Sequence, residues 1–221
     1  MPNTWAIVVA AGSGQRFGRP KQFERIAGRM LVEWSVEAAR SSCEGVVVVV
    51  PASGTSEVIA ADAVVRGGAS RSESVRAGLA QIPASADVVI VHDAARPGAS
   101  PGLFRSVASA VRAGAQAAIP GLAVADTLKR VDRSVDPAVV TETVDRESIV
   151  AVQTPQAFDA AALRAAHAQL GDATDDAGLI EADGGRVVVI PGEMLAMKVT
   201  TVEDLATLTA LLAQQQDGLS R

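Results

Sequence analysis

The chain carries one cysteine, Cys43, in 221 residues. That count excludes an internal disulfide, and one thiol cannot by itself build a structural zinc site. It fits a reduced, cytoplasmic setting in which Cys43 acts as a small apolar filler. Basic charge is also scarce: 20 Lys and Arg stand against 25 Asp and Glu, a formal net charge of −5. A nucleic-acid partner needs a basic stripe to displace counterions from phosphates, so none is expected and any phosphate binding must be local. No apolar run reaches the length of a membrane span, and MPNTWAIVVAAG has no basic n-region, so neither a membrane partner nor a signal peptide is expected. Internal repeats, low-complexity segments and Pro/Gly-rich linkers are absent, which predicts a single domain over residues 1–221.

What is present is alternation. Short β-branched runs at Trp5–Val9, Gly45–Val50, Asp87–Val91, Ala117–Ile119 and Arg186–Ile190 are continuously apolar, as central strands covered on both faces are. Between them lie helical segments at Leu31–Arg40, Ser72–Gln81, Pro101–Ala113, Asp159–Leu170 and, after the cap-like Thr200-Thr201, Val202–Ala213. The pattern predicts an α/β fold: a mostly parallel sheet flanked by helices, with right-handed crossovers. One region departs from it. Residues 126–152, charged and rich in Thr and Val, read as an extended hairpin, and one this long needs support from a second subunit.

In such a sheet, ligands bind where loops leave the carboxyl ends of the strands. The first strand runs into VAAGSGQR, in which Ala10, Ala11, Gly12 and Gly14 let backbone N–H groups approach phosphate oxygens. A dinucleotide site is disfavoured, because Phe17 stands at the third glycine and the second strand ends in Val50-Pro51 without an acid for the ribose. A P-loop is excluded by the missing GK[ST]. After the glycines come Arg16 and then Pro20-Lys21-Gln22, two cations suited to an extended polyphosphate.

A second strand end reads VHDAARP. There Asp93 is placed to hold a hydroxyl or a metal-phosphate unit, and Arg96 carries a forked donor for phosphate. His92 alternates to the opposite face, a structural position. Further polar sets are GGASRSES, DTLK, Asp145-Arg146, QTPQ, Thr174-Asp175-Asp176 and MKVT. Each alone is ordinary turn or cap chemistry.

Together, AAGSGQR, PKQF, GGASRSESVRAGL, VHDAARP, DTLKR, TVDR, QTPQAF, TDDA and MKVTTVEDL run in order from residue 10 to about residue 205. In this the sequence resembles the 2-C-methyl-D-erythritol 4-phosphate cytidylyltransferase family of the non-mevalonate isoprenoid pathway. The resemblance implies a Rossmann-like nucleotidyltransferase fold and a homodimer joined by a protruding β-arm. It also implies a Mg²⁺-dependent reaction of CTP with methylerythritol phosphate to give the CDP-alcohol and pyrophosphate. By the same resemblance, Ala10, Ala11, Gly12 and Gly14 would hold the triphosphate, with Gly68, Ala69, Ser74 and Ala94 also binding the nucleotide. Arg16 and Lys21 would stabilise developing charge, while Asp93, Arg96, Thr127, Thr154 and Thr174 would hold the acceptor. Arg146, from the partner's arm, and Lys198 would position its phosphate. The metal would be held mainly by the triphosphate, with Asp93 as a candidate ligand.

The attacking group of such a reaction is an ionised phosphate, so no general base is required. The barrier lies in bringing two polyanions together, which fixed cations address by positioning and electrostatics. Two other readings share these motifs: a ribitol 5-phosphate cytidylyltransferase, and a non-catalytic nucleotide-binding module. The second would be expected to lose Arg16, Lys21, Asp93 or Lys198, and all four are retained.

Overall fold

A computed structural model describes residues 3–12, 14, 17–52, 60–169 and 175–219, the side chains of 215–219 excepted. In its first half the strands are β1 (Thr4–Val9), the short β2 (Arg25–Ile26) and β3 (Arg29–Met30), β4 (Gly45–Val50), β5 (Ala63–Arg66) and β6 (Val88–Asp93). The helices α1 (Leu31–Arg40), α2 (Arg71–Leu79) and α3 (Pro101–Arg112) lie among and after them. The second half holds β7 (Ala117–Ala123), β8 (Leu128–Asp132), β9 (Val139–Val144), β10 (Val150–Val152), β11 (Gln156–Asp159) and β12 (Val187–Pro191). Its helices are α4 (Ala160–Ala168), α5 (Asp176–Ala182) and α6 (Val202–Leu219).

The main sheet has eight strands in the order β10-β7-β11-β6-β1-β4-β5, with β12 beside β7. At its centre β1 runs parallel to β4 and β6, placing Ile7 opposite both Val47 and Val91. The continuous valine run of β4 is explained by its position, since successive residues feed two different cores. Val46, Val48 and Val50 pack with Phe104 and Val107 of α3 on one face. Val47 and Val49 pack with Val75 of α2 and Leu163 of α4 on the other. A third cluster joins Phe17, Ile26, Leu31, Val199 and Leu208, so the segment after the glycine loop is packed against the chain on both sides of Thr200-Thr201. Helix starts follow their caps: Ser70 Oγ accepts from Glu73 N–H, and Ser100 Oγ accepts from Leu103 N–H with Pro101 following. At α6 the cap is reciprocal. Asp204 accepts from the Thr200 and Thr201 N–H groups and donates its own N–H to Thr201 Oγ1.

The sheet is mostly parallel, as the alternation predicts, and two details differ from the sequence reading. β11, which that reading does not include, inserts antiparallel between β6 and β7. Its four residues, Gln156 to Asp159, are too short and too polar to show strand periodicity. The expected arm over 126–152 is also shorter. β8 and β9 form the separate antiparallel ribbon, with a register shift at Arg130/Val131, whereas β10 returns to the main sheet beside β7. The sequence does not reveal where the ribbon ends, because Val150-Ala151-Val152 has the same character as the arm and only its partner Gly121–Ala123 separates them.

Candidate active site at the carboxyl ends of β1 and β6

The chain leaves β1 and β6 side by side. Ala10 N–H donates to the Val49 carbonyl at 2.7 Å and Ala94 N–H to the Val9 carbonyl at 3.0 Å, which fixes where both loops begin. They open on a cavity of about 620 Å³. Its first wall is the glycine loop, with Ala10, Ala11, Gly12 and Gly14 on the cavity surface. Gly14 has φ +68°, and a Cβ there would lie 1.9 Å from the Arg19 carbonyl oxygen, so only glycine fits. The loop is closed by Phe17 N–H donating to the Gly14 carbonyl and by the Gln22 amide donating to the Gly12 carbonyl at 3.0 Å. Lys21 opens a 3-10 turn at the cavity edge, within electrostatic reach of Asp204 at the start of α6.

The second wall comes from the turn into α2. Gly67 lets this turn approach the first: a Cβ there would sit 2.6 Å from both the Ala11 Cβ and the Ser74 Oγ. Gly68, Ala69, Ser70 and Ser74 line the cavity. Glu73 reaches back to accept from Ala69 N–H at 2.6 Å, and the Ser74 hydroxyl donates to the Ser70 carbonyl at 2.9 Å, so the turn is held by its own helix.

Charge enters on the third wall. Lys198 Nζ donates to Asp93 Oδ2 at 2.7 Å, and Arg71 Nε lies 3.9 Å from Asp93 Oδ1. Burial, the largest single influence, works to raise the Asp93 pKa, but Lys198, Arg71 and Arg96 together outweigh it and hold the carboxyl at about 2. Arg71 Nη1 also donates to Asp176 Oδ2 at 2.6 Å. Beneath this wall the Thr154 hydroxyl oxygen accepts from Asp93 N–H and pairs with His92 Nδ1, each at 3.0 Å. His92 meets Phe104 in the core with the two rings tilted at 56°, and burial there lowers its pKa to about 4, so the ring is neutral.

The cavity therefore gathers Ala10, Ala11, Gly12, Gly14, Lys21, Gly68, Ala69, Ser74, Asp93, Ala94 and Lys198 from the sequence-predicted set. Arg16 and Thr174 lie outside the described residues. Arg96 and Thr154 sit behind the cavity rather than on it. The Arg96 guanidinium donates to the Ala196 carbonyl at 2.8 Å and the Val152 carbonyl at 3.3 Å, tying the β6 loop to the chain that carries Lys198. Thr127 and Arg146 are exposed at the base of the arm, where Arg146 donates to the Ala125 carbonyl. Arg71, Ser70 and Gln22 line the cavity without having been assigned a role. No local signal marks Arg71, because the carboxylates that hold a cation at the first residue of a helix, against the macrodipole, come from elsewhere in the chain.

The charged groups lining the cavity, among the described residues, are Lys21, Arg71, Lys198 and Asp93, a positive excess on an acidic chain. No set of three or more His, Cys, Asp or Glu is placed to hold a metal ion among those residues. The family model described as 2-C-methyl-D-erythritol 4-phosphate cytidylyltransferase matches residues 4–214. The chain belongs to that family. A 2-C-methyl-D-erythritol 4-phosphate cytidylyltransferase of Saccharopolyspora erythraea is 45% identical to it over 94% of this chain and 98% of its own length. A bifunctional enzyme IspD/IspF of Clavibacter michiganensis is 46% identical over 96% of this chain, which spans 55% of that protein. The crystal structure of the cytidylyltransferase from Thermus thermophilus superposes with a TM-score of 0.80 at 35% identity, covering 94% of this chain and 98% of that one. The Rossmann-like nucleotidyltransferase fold is thus that of the cytidylyltransferase family, and no helix among the described residues is long and apolar enough to cross a membrane.

Proposed function

We propose that the chain, acting as one nucleotidyltransferase domain in the cytoplasm, transfers the cytidylyl group of CTP to 2-C-methyl-D-erythritol 4-phosphate. The observation that carries this reading is the local cationic cavity, walled by a glycine loop on one side and by Asp93 with Lys198 on the other. An oxygen of the acceptor phosphate attacks the α-phosphorus, the new P–O bond forms, the bond to the β-phosphate oxygen breaks, and pyrophosphate leaves. The acceptor is already ionised, so no residue need remove a proton.

The Ala10–Gly14 loop receives the triphosphate, and Gly68, Ala69, Ser74 and Ala94 bind the base and ribose. Lys21, with Arg16, stabilises charge on the α-phosphate and the departing pyrophosphate. Asp93 accepts from acceptor hydroxyls, with Thr154 and Arg96 holding its loop and Thr174 on the same side. Lys198 orients the acceptor phosphate. Thr127 and Arg146 complete the site from the arm of a second copy. Supporting that pairing, the chain exposes Val135, Val139 and Val140 on the arm and Val150 and Val152 at its return.

A divalent cation fits this cavity as a companion of the nucleotide. Asp93 is the one carboxylate lining it among the described residues, and the pKa of about 2 keeps that group ionised. Mg²⁺ would be held by the triphosphate with Asp93, and when bound it neutralises phosphate charge. The deciding assay is pyrophosphate release from CTP and Mg²⁺ with methylerythritol phosphate or ribitol 5-phosphate as acceptor. Turnover with the first is expected; its absence overturns the reading, and turnover with ribitol phosphate alone reassigns the acceptor.

A further inference from the structure

Behind the third wall lies a line of polar and charged side chains that reaches from the core to the cavity. His167 of α4, 2% exposed, pairs through Nε2 with Asp176 Oδ1 at 2.9 Å. Asp176, 1% exposed, accepts from Arg71 Nη1 through its other oxygen at 2.6 Å. Arg71 lies on the cavity surface with its Nε 3.9 Å from Asp93 Oδ1, and Asp93 Oδ2 belongs to Lys198. A buried carboxylate is costly unless its partners repay desolvation, and replacing such a pair by apolar groups is often neutral or stabilising. The arrangement therefore asks for a reason other than stability. It has one at the cavity end, because Arg71 is the first residue of α2 and the helix dipole there opposes a cation.

The remaining geometry supports fixed placement. Asp175 accepts from the Gly178 N–H at 3.1 Å and from the Gln156 amide at 2.8 Å, so the residue before Asp176 is pinned to both α5 and β11. Asp176 is thereby presented to Arg71 from a rigid support. The planar guanidinium can direct separate donors at Asp176 and toward Asp93, whereas a lysine ammonium is a single point charge. Asp93 is left with one cation beside each oxygen.

We propose that Asp176 is a positioning residue: acting through Arg71, it sets the orientation of the Asp93 carboxylate that receives the acceptor hydroxyls. This rests on the cytidylyltransferase reading and assigns part of its acceptor specificity to a residue that is buried behind the substrate. His167 holds the far oxygen of Asp176 and completes the line.

The test compares Arg71→Lys, the nearly isosteric Asp176→Asn and the double variant, measuring KM for each substrate, kcat and melting temperature. Both single variants are expected to raise the acceptor KM about tenfold while the KM for CTP stays within about twofold. In the double variant the second change adds no further loss, because both break one link. A wild-type acceptor KM in Arg71→Lys overturns the proposal, and that variant leaves the buried acid untouched should Asp176→Asn fail to fold. Independent, additive losses in the double variant overturn it too, as does an Asp176→Asn protein that melts earlier yet keeps its acceptor KM. A wild-type chain that releases no pyrophosphate overturns the activity itself, and the role falls with it; a wild type that turns over while Arg71→Lys keeps its acceptor KM sinks the positioning role alone.

Discussion

Lys198 and Asp93 are 105 residues apart in the chain and 2.7 Å apart in the site. Their pairing does two things at once. It keeps Asp93 ionised against the desolvation that would otherwise raise its pKa, and it fixes the lysine on the cavity wall, the position the proposed reaction needs for the acceptor phosphate. Replacing Lys198 by alanine is therefore expected to lower kcat on the order of 10²-fold, the usual cost of one fixed electrostatic partner, with the fold intact by circular dichroism. The same change should raise the Asp93 pKa, since burial remains and its strongest opposing charge is gone. Carboxyl ¹³C titration of Asp93 checks this; an unmoved titration would mean that Lys198 does not hold the group. In the proposed reaction Lys21 and Arg16 serve the other substrate, so alanine at either is expected to lower kcat at least about tenfold without unfolding the protein.

Among the elements, the glycine loop and the arm carry opposite kinds of constraint. The loop works because its backbone takes a path that a side chain would block, as the 1.9 Å clash of a Cβ at Gly14 with the Arg19 carbonyl shows. Gly14→Ala should raise the KM for CTP about tenfold or more, because the chain must leave that path to relieve the clash. The arm's constraint in the proposed pairing lies in its surface. Its ribbon, β8 with β9, stands apart from the main sheet and leaves Val139 and Val140 each 55% exposed. If Arg146 serves the neighbouring copy, mixing an Arg146→Ala chain with a Lys198→Ala chain should restore roughly one competent site per heterodimer. Each variant alone should be nearly inactive, and a mixture no better than its parts would place each site within one chain.

At the scale of the whole molecule, the buried histidine of β6 couples stability to pH. His92 has a folded pKa near 4 against an ordinary 6.5, chiefly through burial, with Asp93 opposing that shift and Arg96 adding to it. The neutral ring is the folded form, so its contribution is complete above pH 6.5 and is lost as pH falls toward 4, about 3 kcal/mol in all. Denaturant melts across that range should slope downward, and His92→Asn should flatten the slope; an unchanged slope would assign it to other groups. Much of this molecule was legible in one dimension. The central strands β1, β4 and β6, helices α1 and α3, and the glycine loop declare themselves, because a strand covered on both faces must be apolar throughout and a phosphate loop must be free of side chains. The short antiparallel β11, the true end of the arm and the place of Arg71 were not legible. Four half-polar residues carry no period, an edge strand is defined by its partner, and an arginine at a helix start looks like surface charge until its carboxylates arrive from elsewhere. The local sequence thus determined the central strands, helices α1 and α3 and the side-chain-poor glycine loop, since these follow from the chemistry of neighbouring residues. Tertiary structure alone decided that Asp93, Lys198, Arg71 and Asp176 meet, because ion pairing acts across space and the Lys198–Asp93 and Arg71–Asp176 partners are each 105 residues apart in the chain.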